Sequence, residues 1–158
     1  MSRSRNRLVV MALAALITML VSCGGRKTVY HHYEHTPLAG WDKNDTLTFT
    51  IGPIAESNVF SEEIGLRING LYPFMGLCLV VDQVITPGFI IRRDTLSCSL
   101  IDQRGNIKGQ GISRYQYNFH LDDIHLNGND SLRISIHHNM KREMLPGITD
   151  VGVRLCSY

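Results

Sequence analysis

Histidine, carboxylate and thiol side chains are the groups in this sequence equipped for chemistry, so their spacing comes first. His31, His32 and His35 stand close together, and His137 and His138 are adjacent. Imidazoles bind metals, but neither group has an acid or a cysteine at a ligand-like spacing, and no metal site is expected. Glu62-Glu63 and Asp122-Asp123 are paired carboxylates. Neighbours along a strand point to opposite faces, so both pairs are expected at solvated loop edges rather than converging on one bond. Cys78, Cys98 and Cys156 have no zinc-ligand spacing. In an oxidising compartment one disulfide with a leftover thiol is open, and so are three free cysteines packed in strands. There is no Gly-x-Ser-x-Gly elbow, no Gly-rich phosphate loop and no His-Glu-x-x-His motif. The expectation is therefore a non-enzyme with no catalytic residue, no metal and no cofactor.

Binding chemistry has better candidates. Trp41, Tyr72 and Phe74 lie at segment edges, where they would meet a protein partner or a sugar ring, or close the ends of a core. The stretch Met140–Gly147 mixes Lys141 and Arg142 with apolar residues. It reads either as a docking surface or as a connection that tucks Met144 and Leu145 under the domain.

The N-terminus has the sharpest signal. Arg3, Arg5 and Arg7 precede an apolar run from Leu8 to Val21. A basic stretch followed by a short apolar run is a secretory signal, and the run falls short of the roughly 20 residues a spanning helix needs. It ends in Leu20-Val21-Ser22-Cys23-Gly24, which resembles the bacterial lipobox. That resemblance implies lipid on the Cys23 thiol, cleavage before it and acylation of the new amine. Several acyl chains, at about 0.8 kcal/mol per buried CH₂, hold a protein on a membrane. Cleavage removes 22 of 158 residues and three arginines, leaving 13 Lys+Arg against 14 Asp+Glu. A mature charge near −1 gives no electrostatic case for nucleic acid.

The elements that would position these groups are strands. Apolar residues alternate at Leu47/Phe49/Ile51, Ile64/Leu66/Ile68, Tyr115/Tyr117/Phe119/Leu121, Leu132/Ile134/Ile136 and Val151/Val153/Leu155. Period two marks strands with one face in a core. Leu77–Ile85 is apolar on both faces and should be central; residues 89–101 form a further long run. Gly52-Pro53, Pro87-Gly88, residues 102–106, Asn127-Gly128 and Pro146-Gly147 punctuate the series, and Asn127-Gly128 suits a tight hairpin. The fold expected is all-β, an antiparallel, jelly-roll-like β-sandwich of about seven or eight strands. It would occupy residues 44–158, behind a signal peptide over 1–22 and a lipid anchor and tether over 23–43 that lacks periodicity.

Leu145-Pro146-Gly147-Ile148-Thr149-Asp150-Val151-Gly152-Val153-Arg154 resembles the closing signature of the gliding motility lipoprotein GldH family of the Bacteroidota. Other pieces fall in the same order: Tyr30 and Tyr33, Gly40-Trp41 with Asp45, Asn69 with Tyr72-Pro73, Asp94-Thr95-Leu96 with Cys98, and Gly105, Lys108-Gly109 and Gly111 before Tyr117. Cys78 is outside that pattern, so the resemblance lends no support to a family-wide Cys78–Cys98 bridge. It implies a small lipoprotein associated with gliding and type IX secretion machinery, with Cys23 as the functional residue that carries over. Surface-exported lipoproteins of this phylum typically have acids soon after the lipidated cysteine. Here Arg26 and Lys27 come first and no acid precedes Glu34, so the expected place is the periplasmic leaflet of the outer membrane. The partner expected is an envelope protein, met through Trp41, Tyr72, Phe74, Lys141 and Arg142; the alternative is a glycan or lipopolysaccharide at the same aromatics. Replacing Cys23 with alanine should move the protein from the membrane to the soluble fraction on fractionation. Membrane retention of Cys23→Ala would show that something other than the lipid holds it.

Overall fold

The computed structural model describes residues 26–158; the signal segment and Cys23 lie outside them. Ten strands occur among the described residues: β1 (Lys27–His35), β2 (Trp41–Asp42), β3 (Leu47–Ile51), β4 (Asn58–Asn69), β5 (Gly76–Thr86), β6 (Ile90–Ser99), β7 (Arg114–Leu126), β8 (Ser131–His138), β9 (Met144–Leu145) and β10 (Ile148–Ser157). One sheet runs β1-β10-β4-β7, the other β3-β8-β5-β6, and β2 and β9 form a small ribbon. All pairings are antiparallel. Counted as eight long strands, the first sheet takes the first, eighth, third and sixth, and the second takes the rest. That is the strand order of a jelly roll, two interleaved Greek keys.

The alternation read from the sequence places the core. Phe49 and Ile51 of β3, Ile64 and Leu66 of β4, Leu79 and Val81 of β5, Leu132, Ile134 and Ile136 of β8, and Val151, Val153 and Leu155 of β10 are all buried. Each contributes about 1.5–3 kcal/mol by leaving water. In β7 the phase changes. Tyr115, Tyr117 and Phe119 face inward at odd positions, but Ile124 and Leu126 do so at even ones. The register against β4 slips between Ser61 and Glu63, where β7 places an extra residue. Such a bulge moves the following side chains to the other face.

Two expectations about the elements are corrected. Residues 27–35 are not tether: β1 pairs along β10 from Lys27↔Ser157 to His35↔Asp150. Tyr33 pins it there by lying flat across the outer face of the sheet, over the paired glycines Gly65 and Gly152. A β-carbon on Gly152 would come within 2.6 Å of the Tyr33 ring. The Arg67 guanidinium stacks on the ring's other face, 4.0 Å from its centroid. Period two is weak here because β1 is an edge strand with polar residues on both faces. Asn127-Gly128 is also no hairpin: β7 and β8 belong to different sheets, and residues 127–130 cross between them. Positive φ falls on Asn129.

The acid pairs divide. Asp122 and Asp123 are exposed, although they lie within β7 rather than at a loop edge. Glu62, expected in solvent, is fully buried in β4, while Glu63 faces the other side and binds Arg154 at 2.6 Å. The amide Nε2 of buried Gln83 donates to Glu62 Oε2 across the sandwich at 2.7 Å. Glu62 Oε1 and Gln83 Oε1 have no partner. A protonated carboxyl supplies the missing donor that such a carboxyl–amide pair needs. Burial pushes the Glu62 carboxyl up to about 7, against the lowering effect of the Gln83 bond.

A raised folded-state value makes the unfolded chain release its proton first. Stability from Glu62 is therefore fully present below about pH 4.5 and is lost as pH rises through about 7. The loss amounts to roughly 3 kcal/mol. In denaturant titrations, stability relative to Glu62→Gln should fall by about that much between pH 4.5 and pH 8. A difference that stays flat with pH would show that Glu62 titrates like a surface acid.

Candidate functional site

Strand direction sorts the loops into two ends. At one end lie residues 36–46, 70–75, 100–113 and 139–147, and these include every contact residue singled out from the sequence. The first two and the last are tied closely. Trp41 pairs with Leu145, and Lys43 N donates to Glu143 O at 2.8 Å. Asn69 N donates to Gly147 O at 2.8 Å. Gly147 adopts φ +84, and a β-carbon there would collide with the backbone of Leu71 and Tyr72. The third loop joins through Leu100 N donating to Met75 O at 3.0 Å.

Trp41 is not presented to solvent. It is 0% exposed, closing the end of the core against Leu145. Its indole Nε1 donates to Asp45 O at 3.0 Å, and its ring meets His138 edge-on at 5.3 Å. His138 is equally buried, fourth on the face begun by Leu132, Ile134 and Ile136. Its Nε2 reaches Trp41 O at 3.2 Å, and its Nδ1 accepts from Met140 N at 3.4 Å. Those contacts fit the neutral Nε2–H form, and burial holds its pKa below the ordinary histidine value. Both ring nitrogens are thus occupied. The other histidines are apart: His31 and His35 share the outer face with Tyr33, whereas His32 turns toward Phe49. Among the described residues no three His, Cys, Asp or Glu side chains gather at metal-binding distance. Cys78, Cys98 and Cys156 are free thiols, and burial pushes the Cys98 thiol up to about 12.

Tyr72 and Phe74 are half-buried, packed edge-to-face at 5.6 Å. The Tyr72 hydroxyl donates to Gly76 O at 2.9 Å, and burial raises its pKa. The residues that do face solvent are their chain neighbours, Leu71 at 71% and Met75 at 62% exposure. Leu38 on the neighbouring loop is fully exposed, and Met144 is partly so. Lys141 and Arg142 are exposed beside them, and among the described residues neither forms an ion pair. The end of the sandwich therefore exposes several apolar side chains on loops that carry both signs of charge, Lys141 and Arg142 together with exposed Asp45 and Glu143. Sequence reasoning chose the aromatics of 71–75 for contact and missed Leu71 and Met75. Strand-like alternation was the available signal: if Tyr72 and Phe74 point inward, 71 and 75 point out.

On the outer face of the first sheet, a pocket of about 50 Å³ lies beside Tyr33, bordered by His31, Glu63, Gln116, Asn118 and Arg154. Small-molecule sites usually measure about 300–1,000 Å³, so this one admits a few waters. Of the groups that border it, Arg154 is engaged with Glu63; nearby, buried Asp150 accepts from the Thr149 hydroxyl at 2.7 Å through Oδ2, while its Oδ1, 2.5 Å from His35 Nδ1, has no hydrogen-bond partner. The alternating outward residues Asp150, Gly152 and Arg154 thus surround and support β1.

The model of the GldH lipoprotein family matches residues 28–155. The chain belongs to this family. A relative, the gliding motility lipoprotein GldH of Flavobacterium johnsoniae, is 29% identical over 153 residues, covering 92% of this chain and 93% of that one. Among solved structures, a 4-O-methyl-α-glucuronidase specific for decorated arabinogalactans superposes with a TM-score of 0.51 at 17% identity, over 85% of this chain and 18% of that one. The likeness concerns fold only. A family 35 carbohydrate binding module from Clostridium thermocellum, at TM-score 0.37 and 9% identity over 80% of this chain and 89% of that one, is too distant to bear on function.

If Gly152 is a floor for Tyr33, then Gly152→Ala should destabilise by about 1–3 kcal/mol, the cost of overpacking. Adding Tyr33→Ala should make Gly152→Ala nearly neutral in a double-mutant cycle. Equal costs of Gly152→Ala with and without the Tyr33 ring would show that the two do not interact.

Proposed function

We propose that this GldH-family lipoprotein is a non-enzymatic adaptor of the cell envelope, anchored by lipid on Cys23 in the periplasmic leaflet of the outer membrane. Its loop end engages a protein of the gliding or associated type IX secretion machinery. The observation supporting this reading is the separation of ends. β1 begins at Lys27, at the end of the sandwich opposite Leu38, Leu71, Met75, Lys141 and Arg142. A chain tethered at one end presents the other to the periplasm, about 30 Å away given the ten residues of β10. Confinement to the membrane plane raises the effective concentration at any membrane-embedded partner. Exposed apolar side chains on the same loop end as Lys141 and Arg142, which form no ion pair among the described residues, suit a protein surface better than a sugar, which the buried Trp41 cannot stack against.

Photo-crosslinking in intact cells tests the reading. A crosslinking residue at Leu38 or Leu71 should capture gliding or secretion components, whereas one at Thr48 or Thr95, on the outer face of the second sheet, should not. Leu71→Asp with Lys141→Glu should cut the yield by at least about tenfold and leave thermal unfolding unchanged. Capture of lipopolysaccharide or peptidoglycan alone would favour the glycan reading instead.

A further inference from the structure

The end opposite those loops has an exposed feature of its own. β5 and β6 form a hairpin whose turn spans residues 87–89. Phe89, Ile90 and Ile91 follow one another there at 75%, 55% and 73% exposure. Phe89 adopts φ +50, a conformation bulky side chains seldom take. Three successive large apolar residues in water are unusual at a hairpin tip, where turn formation asks for Gly, Asn or Asp. Nothing in the fold requires them, because the core closes beneath at Ile85 and Leu132.

Topology puts this tip on the same end as the start of β1. Lys27 pairs with Ser157, Ser157 with Phe60, and Asn58 with Leu126. Residues 127–130 then lead to β8, where Leu132 opposes both Ile51 and Ile85, and Ile85 opposes Ile90. The loop holding Ala55 and Glu56 sits beside Lys27 and Val29 and binds the 127–130 crossover through Ile54 N to Asp130 O at 2.8 Å. β1 and β6 occupy opposite corners of that end. His32 of β1 lies against Phe49 of β3, while Arg92 of β6 bridges to Asp122 of β7 at 3.3 Å. With strands about 4.8 Å and sheets about 10 Å apart, the corners are roughly 17 Å from each other.

Cys23 precedes Lys27 by four residues, so its sulfur chemistry takes place no farther than about 14 Å from β1. On the reading that Cys23 is lipidated, this whole end lies within reach of the bilayer surface. We propose that the β5–β6 hairpin tip, Phe89-Ile90-Ile91, is a second membrane contact, dipping into the lipid interface at the corner diagonal to the anchor. One tether leaves a domain free to pivot. A second contact across the end face fixes its tilt and holds the opposite loops away from the membrane. The attraction is apolar: Arg93 and Arg92 beside the tip already serve Asp82 and Asp122, so salt should weaken it little.

The test uses the mature lipidated protein in phosphatidylethanolamine–phosphatidylglycerol vesicles containing brominated lipid, with tryptophan at the tip (Phe89→Trp, and Ile91→Trp separately). Trp41, the one native tryptophan and fully buried, serves as the internal reference. Emission from the introduced indole should shift to the blue and be quenched at least twofold by bromine, with Trp41 emission unchanged. Emission typical of water at both positions would overturn the proposal, as would a blue shift without quenching, which marks burial against protein. Mass spectrometry of the same sample separates the two readings. Acylated protein with an unquenched tip overturns the hairpin contact alone. Protein without acyl chains overturns the anchor reading, and the hairpin contact then fails with it unless the tip is quenched on its own.

Discussion

Everything in this molecule hangs on how β1 is held. An edge strand with nine residues, three of them histidines, has little apolar area to bury, so hydrogen bonding along β10 needs support from side chains. Tyr33 provides it by spreading over a patch where two glycines from neighbouring strands leave no β-carbons in the way. Arg67 closes the ring from above, Glu63 and Arg154 form an ion pair at its margin, and His35 lies against Asp150 at the strand's far end. The closing signature of the family acquires a physical meaning from this. Val151 and Val153 face the core, while Asp150, Gly152 and Arg154 face the strand that must be docked.

The same strand is the one nearest Cys23 in the chain. With the lipid on Cys23, as proposed, a pull from the membrane would enter the sandwich along β1 and act on its ladder with β10 in shear, where several bonds must yield together. Because β10 is an inner strand, flanked by β1 and β4, the load passes directly to the centre of the first sheet. The jelly-roll connectivity determines which loops share the end where β1 begins and which stand at the other. The polar interior pair of Glu62 and Gln83 lies between the sheets, beside the bulge in β7. It costs desolvation, which a neutral carboxyl avoids.

Much of this was legible beforehand. The alternation at Phe49/Ile51, Leu132/Ile134/Ile136 and Val151/Val153/Leu155 located the inner faces, because a two-layer sheet imposes period two on any strand with one dry side. It failed where another interaction replaced hydrophobic burial. β1 looked like a tether because its hold on the sheet is aromatic and ionic. Glu62 looked solvated because nothing along the chain announces a Gln83 that sits opposite only after the sheets stack. Trp41 looked like a binding aromatic because its cover, Leu145 and His138, comes from about a hundred residues downstream. Leu71 and Met75 were passed over in favour of the aromatics between them, although the local alternation assigns inside and outside with the opposite sense.

Sequence alone determined the properties that depend on chain order and local pattern: the family, the all-β class and most of the core. Those arise from short-range spacing, which any reader of the chain can measure. The tertiary structure decided which surfaces share an end and which histidine, acid and tryptophan lose their water. Both depend on pairing strands as distant as β1 and β10, joined by hydrogen bonds between residues some 130 positions apart. No local pattern encodes that proximity, because the energy that enforces it is released only when both sheets close over one core.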